Sequence, residues 1–377
     1  MKALILSCAT GGGHNAAGHA IEKVLKQRGW NTTFLDPYTL RSQSLADHVG
    51  QAYVSLVQLS PSLFGNIYHI GELYNLGEHK FHLPNPLLPL QKRTALALQE
   101  YLENHPVQFI ICTHPYPGLM LTWLKNHGYS IPYSIMVPTD YTCIPFEADV
   151  KTDWMTLPSV DLMETFQKEG IESSRLIPTG IPVDPAFTEP CSREDATHKL
   201  GLSLENDYIL LAAGSMGAQG MVALLDQLNA VLKKSPTLQV LAFCGTNEAL
   251  LKELQELHHS QIQPIGFTDQ MPLYLHMGRV YITKPGGLSI TEAAACGIPL
   301  VLCHPIPGCE TENALFFEKH GWAHFVRDLS TLPSLVENIL DSPFCPRVPY
   351  DPQFDNTGGK LADWICSAWM LNAFRSK

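Results

Sequence analysis

The chain has 377 residues, of which 45% are hydrophobic and 16% are charged, and its net charge is −11. This length exceeds one typical core and predicts two domains. The acidic balance argues against a nucleic-acid-binding protein, which would carry a basic face. No apolar run reaches the ~20 residues of a membrane-spanning helix. The ten cysteines include no C-x-x-C pair, so we expect a cytoplasmic protein with reduced thiols.

The first predicted unit is a strand, a glycine-rich turn and a helix. Residues 3–8 form a continuous apolar run, which predicts a buried parallel strand. We expect no signal peptide, because this run is too short for one and leads directly into a glycine turn. Three consecutive glycines then precede His14, and residues 16–27 carry a helical apolar stripe. The spacing of these glycines, together with Asp36, also fits the fingerprint of dinucleotide-binding domains. An NAD-dependent oxidoreductase is therefore the alternative from a different functional class.

A helical pattern covers residues 42–59. Residues 61–89 then form an apolar and aromatic segment that lacks the residues that typically begin or end a strand or a helix. One interpretation is a lid that dips into a lipid interface. The other is a helical hairpin that packs on the sheet. Both interpretations stay open.

Two further strands are predicted at residues 108–113 and 131–137, and polar residues follow each of them. His114 follows the first strand, and Asp140 follows the second. Loops after the carboxyl ends of parallel strands face the ligand, so we expect both side chains near a site. Asp140 either orients His14, or binds a substrate hydroxyl, or caps a turn, and the sequence does not decide between these roles.

The boundary between the two predicted domains lies in a proline-rich linker. Strands at residues 154–157 and 175–178 close the first half, and three prolines follow between residues 182 and 190. We therefore predict domains at residues 1–186 and 187–358.

The second half repeats the pattern of the first. A strand at residues 207–212 leads into a glycine turn at 214–217 and a helix that reaches residue 232. Another strand is expected at residues 238–243, and a glycine-containing loop lies at 266–268. This alternation of strands and helices predicts a second parallel α/β sheet.

The most informative stretch, residues 280–313, has the order strand, glycine turn, helix, strand and polar loop. Gly286 and Gly287 let the backbone approach a ligand with no Cβ in the way. The helix that starts near Leu288 points free N–H groups and its positive dipole end at the turn, which suits a phosphate. Glu292 lies about one turn into that helix, close enough to accept hydrogen bonds from sugar hydroxyls beside the phosphates.

These residues resemble a known family. The pattern Pro-Gly-Gly-Leu-(Ser/Thr)-x-x-Glu at residues 285–292, with Pro-x-Pro-Gly-x-Glu-x-x-Asn at 305–313, is similar to one half of the monogalactosyldiacylglycerol synthase and processive diacylglycerol glucosyltransferase family. That half binds the nucleotide sugar, and the family is related to the glycosyltransferase of peptidoglycan lipid synthesis. The glycine turn before His14 and the Thr-Asp-Tyr at residues 139–141 also match it.

The resemblance implies an α/β fold of the GT-B type, with two doubly wound, Rossmann-like domains that face each other across a cleft. In this fold the last helix, residues 359–374, packs back on the first domain. The implied activity is that of an inverting glycosyltransferase, which moves a hexose from UDP-glucose or UDP-galactose to diacylglycerol or a related lipid, without a metal or another cofactor. We expect a peripheral protein on the inner face of the cell membrane. Transfer to an isoprenoid-linked carrier and epimerisation of a UDP-sugar are the alternatives.

The resemblance also implies residue roles. His14 is the expected base, because the acceptor hydroxyl must lose a proton and imidazole has a suitable pKa. The N-terminus of the following helix should keep it neutral, although a histidine that only caps this helix is the alternative. Asp140 is the second catalytic candidate. The expected acceptor or membrane contacts are Phe64, Tyr68, Tyr74, Phe81 and His114. The expected donor-binding residues are Gly13, Gly214, Ser215, Gly217, Gly266, Phe267, Thr268, Pro285, Gly286, Gly287, Leu288, Glu292, Pro307, Gly308, Glu310 and Asn313.

Among these roles, the resemblance assigns Glu292 to the ribose, and Glu310 and Asn313 to the sugar hydroxyls. Three positions depart from the family pattern. Met216 stands where relatives often have glycine, and residues 142–145 lack the histidine that many members carry. Cys309 replaces a common glutamine beside Glu310, which leaves the identity of the sugar less certain than that of the nucleotide.

Overall fold

The computed structural model describes residues 1–8, 12–59, 85, 87–212, 217–344 and 349–375. The chain divides into two compact units. Unit 1 consists of Met1–Pro185, Pro307–Cys309 and Gln353–Lys377, and unit 2 consists of Ala186–Ile306 and Glu310–Pro352.

Unit 1 is built on a parallel six-stranded sheet with the strand order β2-β1-β3-β4-β5-β6. Its strands are β1 (Lys2–Leu6), β2 (Asn31–Leu35), β3 (Phe109–Cys112), β4 (Tyr133–Met136), β5 (Trp154–Leu157) and β6 (Leu176–Pro178). The central strands are almost fully buried, because helices that connect parallel strands cover both faces of such a sheet. This burial explains why they read as continuous apolar runs in the sequence.

The helices of the first half of the chain lie between these strands. They are α1 (Gly12–Gln27), α2 (Gln43–Leu59), α3 (Leu88–Asn104), α4 (Pro115–Asn126) and α5 (Met163–Lys168). The apolar stripe of α1 is buried against the sheet. A Cβ on Gly18 of this helix would lie 2.6 Å from the Phe34 ring, so the close packing of α1 on β2 requires glycine there.

Unit 2 repeats this architecture, with a parallel sheet in the order β12-β11-β10-β7-β8-β9. Its strands are β7 (Asp207–Ala212), β8 (Leu238–Gly245), β9 (Ile262–Gly266), β10 (Val280–Thr283), β11 (Leu300–Leu302) and β12 (His324–Phe325). The helices of this part of the chain are α6 (Arg193–Lys199), α7 (Gly217–Leu232), α8 (Glu248–Glu256), α9 (Met271–Met277), α10 (Gly287–Cys296), α11 (Cys309–Lys319) and α12 (Leu332–Asp341).

The last helix, α13 (Thr357–Arg375), belongs to unit 1. Leu361 and Ile365 of α13 share an apolar cluster with Ile21 and Val24 of α1. At the edge of this cluster, the indole nitrogen of Trp30 donates to Cys366 Sγ over 3.2 Å. The C-terminal helix thus completes the core of the first half of the chain.

In each sheet, the direction in which the chain adds successive strands reverses at one pair of neighbouring strands. In unit 1 the chain starts at β1, moves outward to β2 and then crosses to β3 on the other side of β1. In unit 2 the corresponding neighbours are β7 and β10. Doubly wound sheets bind ligands beyond the carboxyl ends of the strands at such switch points. The residues that follow β1, β3 and β10 are therefore in the expected position for a functional site.

The predicted α/β fold with two Rossmann-like parallel sheets is confirmed. Every strand predicted from the sequence is present, within two residues of the predicted bounds at each end. The sequence analysis missed β9 and β12, which are edge strands. Residues 61–84, on which the lid and hairpin interpretations depend, lie outside the described residues.

Candidate active site

His14 lies in the first turn of α1, immediately after the glycine turn that follows β1. Its side chain is half-buried. The ring nitrogen Nδ1 lies 2.9 Å from the carbonyl oxygen of Thr113 and 2.9 Å from the hydroxyl oxygen of Thr139. Thr113 follows β3, so the contact joins the two strands of the switch point. The fold therefore positions this imidazole where the ligand of a doubly wound sheet binds.

These contacts determine the tautomer of His14. A carbonyl oxygen only accepts hydrogen bonds, so Nδ1 must carry the hydrogen that it shares with Thr113. The hydroxyl oxygen of Thr139 is a second acceptor at the same nitrogen. A neutral imidazole then has its basic lone pair on Nε2. This is the form that a general base requires.

The surroundings of His14 also favour its neutral form. Burial lowers the pKa of the imidazole, and this effect outweighs the charge of Asp140 and the bond to the Thr113 carbonyl, which both raise it. The sequence predicted a neutral imidazole from the dipole of the helix N-terminus, whereas burial is the main cause in the structure. His14 therefore stays deprotonated below the pH at which an exposed histidine takes up a proton.

His114 lies against His14 rather than on the surface. The two rings meet edge to face, with their centroids 4.5 Å apart. His114 caps the N-terminus of α4, where its Nδ1 accepts a hydrogen bond from the backbone N–H of Tyr116 over 3.1 Å. Burial and the neighbouring His14 lower the pKa of His114. The structure thus shows a neutral, buried ring that supports His14, while the predicted contact with an acceptor stays a prediction.

Asp140 is half-buried in the loop after β4, and its charge raises the pKa of His14. Orienting His14 is one of the three roles that the sequence left open for Asp140. The structure adds Thr113 and Thr139, which contact Nδ1 and which the sequence analysis did not select. Thr139 lies within the Thr-Asp-Tyr motif that carried the resemblance, so this motif was the available signal for it. The part that Thr113 plays depends on its backbone carbonyl, and no side-chain pattern reveals it.

A buried carboxyl group follows Asp140 in the same loop. Glu147 is 2% exposed, and its Oε2 accepts a hydrogen bond from the backbone N–H of Ile144 over 3.2 Å. Burial, reinforced by the charge of Asp140, raises the pKa of Glu147 to about 8. Phe146 beside it has a positive φ of 68°, which side chains of this size rarely adopt. The loop therefore holds a largely protonated carboxyl at neutral pH.

We expect Glu147 to make the stability of the protein depend on pH. Its pKa rises on folding from 4.5 to about 8, so between these pH values the folded state holds a proton that the unfolded chain has lost. The free energy of unfolding must then fall as the pH rises through this window. Glu147→Gln, which needs no proton, should stabilise the protein by ~2–4 kcal/mol at pH 8.5 and by less than ~1 kcal/mol at pH 5.

Urea unfolding at the two pH values measures this difference. Glu164→Gln is the matched control, because Glu164 lies on α5 with 85% of its side chain exposed and should show no pH-dependent effect. An equal effect of Glu147→Gln at both pH values would contradict the assignment.

The glycine turn of unit 2 lies between β10 and α10. Gly286 is the N-cap of α10, with φ −67° and ψ 128°, and its N–H donates to the Lys284 carbonyl over 2.9 Å. A Cβ on Gly286 would lie 3.7 Å from Glu310 Oε1 and 3.8 Å from Lys284 Nζ, which is ordinary contact distance. The fold therefore has room for a side chain at Gly286, and the need for glycine would come from a ligand.

The first turns of α11 are tied to this glycine turn by two side chains. Glu310 is 5% exposed, forms an ion pair with Lys284, and accepts a hydrogen bond from the Ile306 N–H over 2.9 Å. Asn313 is fully buried and donates to the Pro285 carbonyl over 3.0 Å. Asn313 thus lies beneath the turn, and its amide holds the backbone there. The predicted contacts of Glu310 and Asn313 with sugar hydroxyls stay predictions. The sequence analysis gave no role to Lys284.

The other predicted donor-binding residues occupy several places in the fold. Glu292 is half-buried on α10, and Leu288 is buried on the same helix. The Phe267 ring is 78% exposed after β9, and Thr268 Oγ1 accepts from the Gln270 N–H over 3.1 Å. Gly13 and Gly217 lie in the first turns of α1 and α7, Gly266 ends β9, Gly287 begins α10, and Pro307 and Gly308 precede α11. Gly214, Ser215, Phe64, Tyr68, Tyr74 and Phe81 lie outside the described residues.

The residues that the structure describes contain neither a candidate metal site nor a candidate membrane span. They hold no group of three or more His, Cys, Asp or Glu side chains arranged to bind a metal ion. Within the same ranges, no helix has both the length and the apolar character needed to cross a membrane.

Two family models match the chain. Residues 14–183 match the model described as Monogalactosyldiacylglycerol (MGDG) synthase, and residues 208–350 match the Glycosyltransferase family 28 C-terminal domain. A processive diacylglycerol beta-glucosyltransferase of Bacillus mycoides is 30% identical over 355 residues, which cover 90% of this chain and 85% of that protein. The similarity therefore extends over both halves of the chain.

Solved structures share the fold. MurG from Acinetobacter baumannii aligns with a TM-score of 0.58 at 16% identity, over 97% of this chain and all of that one. A UDP-GlcNAc 2-epimerase from Neisseria meningitidis, bound to UDP-GlcNAc, aligns with a TM-score of 0.57 at 14% identity, over 99% of this chain and all of that one. At these identities the likeness shows the fold alone.

Proposed function

Because the chain belongs to the monogalactosyldiacylglycerol synthase and processive diacylglycerol glucosyltransferase family of glycosyltransferases, we propose that it transfers a hexose from a UDP-sugar to diacylglycerol. The observation that carries this proposal is the tautomer of His14. Its Nδ1–H is bound to Thr113, and Nε2 holds the lone pair of a general base at the switch point of the sheet. The Bacillus mycoides relative is a processive diacylglycerol beta-glucosyltransferase, which supports diacylglycerol as the acceptor.

In the proposed reaction, Nε2 of His14 removes the proton of the acceptor hydroxyl as its oxygen attacks the anomeric carbon of the donor. The bond from the anomeric carbon to the UDP oxygen breaks on the opposite side, so the configuration inverts. The Thr113 carbonyl keeps the ring in the required tautomer. The negative charge of Asp140 stabilises the imidazolium that forms, which agrees with its effect on the pKa of His14.

The donor would bind to the turn of unit 2. The free N–H groups at the start of α10 suit the diphosphate, and the Gly286 backbone allows its close approach. These fixed dipoles stabilise the negative charge on the departing UDP. Glu292 would bind the ribose, and Glu310 would bind sugar hydroxyls. In this arrangement the N–H groups of the protein stabilise the charge of the leaving group.

Diacylglycerol resides in a membrane, so the proposal places the enzyme at the cytoplasmic membrane surface when it works. We propose that the segment around Phe64, Tyr68, Tyr74 and Phe81 supplies the apolar contacts there.

The oxidoreductase alternative has lost support. It rested on a weak glycine fingerprint with Asp36 as the ribose ligand, whereas the family to which the chain belongs consists of glycosyltransferases. Epimerisation has only the shared fold in its favour.

The proposal is tested by incubating the protein with radiolabelled UDP-glucose or UDP-galactose and lipid vesicles. One set of vesicles contains diacylglycerol, a second contains an isoprenoid phosphate, and a third contains neither. We expect labelled glycolipid only with diacylglycerol. Label on the isoprenoid lipid alone, or conversion of the UDP-hexose without transfer, would reject diacylglycerol as the acceptor. In a parallel thermal-shift titration, UDP and not NAD should raise the melting temperature, because a ligand stabilises the state that binds it.

A further inference from the structure

The glycine turn of unit 2 lies beside an ion pair whose cation has no role in the proposed mechanism. Lys284 and Glu310 are in contact, with only 19% and 7% of their side chains exposed. Removing two charges from water is costly, and a buried pair is weak evidence for stability. Stability alone therefore does not account for this pair.

The pair lies directly beside the turn. The position that a Cβ would occupy on Gly286 is 3.8 Å from Lys284 Nζ and 3.7 Å from Glu310 Oε1. Gly286 is also the N-cap of α10, whose first N–H groups are free to bind an anion. A cation thus stands next to a helix N-terminus, beside a glycine whose backbone carries no Cβ.

We propose that Lys284 binds the diphosphate of the donor and that Glu310 neutralises it while the donor is absent. This inference rests on the proposed function and adds a residue to its donor site. An ammonium group forms strong, charge-assisted hydrogen bonds with phosphate oxygens. Without the lysine, the Glu310 carboxylate at the same turn would repel the incoming diphosphate. Lys284 therefore both attracts the donor and screens the carboxylate that would oppose it.

The contacts around the pair allow the lysine side chain to change partners. Glu310 keeps the hydrogen bond from the Ile306 N–H when Lys284 moves away, so its carboxylate stays in place for a sugar hydroxyl. The backbone of the turn is fixed separately, because the Asn313 amide donates to the Pro285 carbonyl and the Gly286 N–H donates to the Lys284 carbonyl. Only the flexible side chain of Lys284 has to move.

Isothermal titration with UDP and with uridine tests this assignment. Neither ligand carries a hexose, so a sugar contact of Glu310 does not enter the comparison. Lys284→Met should weaken UDP binding by ~10-fold or more, while uridine binding stays within about twofold. Lys284→Arg should retain part of the affinity for UDP. Lys252→Met is the matched control, since Lys252 lies on α8 with 79% of its side chain exposed, and it should bind both ligands normally.

Lys284→Met leaves the Glu310 carboxylate buried without its cation, which threatens folding. The double variant Lys284→Met with Glu310→Gln removes both charges, so it should fold and still show the loss specific to UDP. Unchanged UDP affinity in these variants, or an equal loss for UDP and uridine, would overturn the role of Lys284. A wild-type protein that binds neither UDP nor uridine would instead reject the proposed function itself.

Discussion

His14→Gln is expected to lower kcat for sugar transfer by ~10²–10⁴-fold and to leave UDP affinity within about twofold. Glutamine can still donate a hydrogen bond toward the Thr113 carbonyl, but it has no basic nitrogen to replace Nε2. The variant should therefore keep the local structure and lose only proton removal. Steady-state kinetics with UDP-glucose and diacylglycerol vesicles, together with a UDP titration, measures both quantities.

His19→Gln is the matched control for this prediction, because His19 lies on the same helix with 60% of its side chain exposed. It should transfer sugar at the wild-type rate. In the wild-type enzyme, kcat/KM should decline on the acid side with a midpoint below pH 6.5. Burial lowers the pKa of His14, and the base is active only above its pKa. A His14→Gln variant with wild-type kcat would remove His14 from the mechanism.

Gly286→Ala is expected to weaken UDP binding by ~10–100-fold, or about 1.4–2.7 kcal/mol. The added methyl group would occupy the space through which the diphosphate approaches the start of α10. The same substitution should change the free energy of unfolding by less than ~1 kcal/mol, since alanine tolerates the φ of −67° and ψ of 128° at this position. The nearest atoms are at ordinary contact distance. Titration with UDP and urea unfolding separate the two effects.

Gly18→Ala provides the opposite case. Its Cβ would lie 2.6 Å from the Phe34 ring, so this variant should lose ~1–3 kcal/mol of stability while its folded form binds UDP normally. Normal UDP affinity in Gly286→Ala would show that the diphosphate does not approach this glycine.

The sequence predicted the central strands of both sheets because their physical signal is strong. Strands such as β1 and β3 are buried on both faces, so nearly every residue is apolar. The missed strands, β9 and β12, lie at the edges of the unit 2 sheet. β9 contains Pro264, which argues against a strand, and β12 has only two residues. Edge strands bury less surface and therefore leave a weaker pattern.

The candidate site was predictable where a motif carried it. The glycine turns, His14 and the residues that match the family pattern were found in the sequence, and the family assignment is confirmed. The tautomer of His14 was not predictable, because it depends on the backbone carbonyl of Thr113, 99 residues away. Likewise, only the fold shows that Asn313 lies beneath the Pro285 turn and that Lys284 is paired with Glu310.

The most direct measurement is the anomeric configuration of the glycolipid that the enzyme makes from UDP-glucose, determined by NMR of the purified product. UDP-glucose is an α-glycoside, so a single attack by the deprotonated diacylglycerol hydroxyl must give a β-linked glucosyl-diacylglycerol. An α-linked product would contradict direct displacement with His14 as the base.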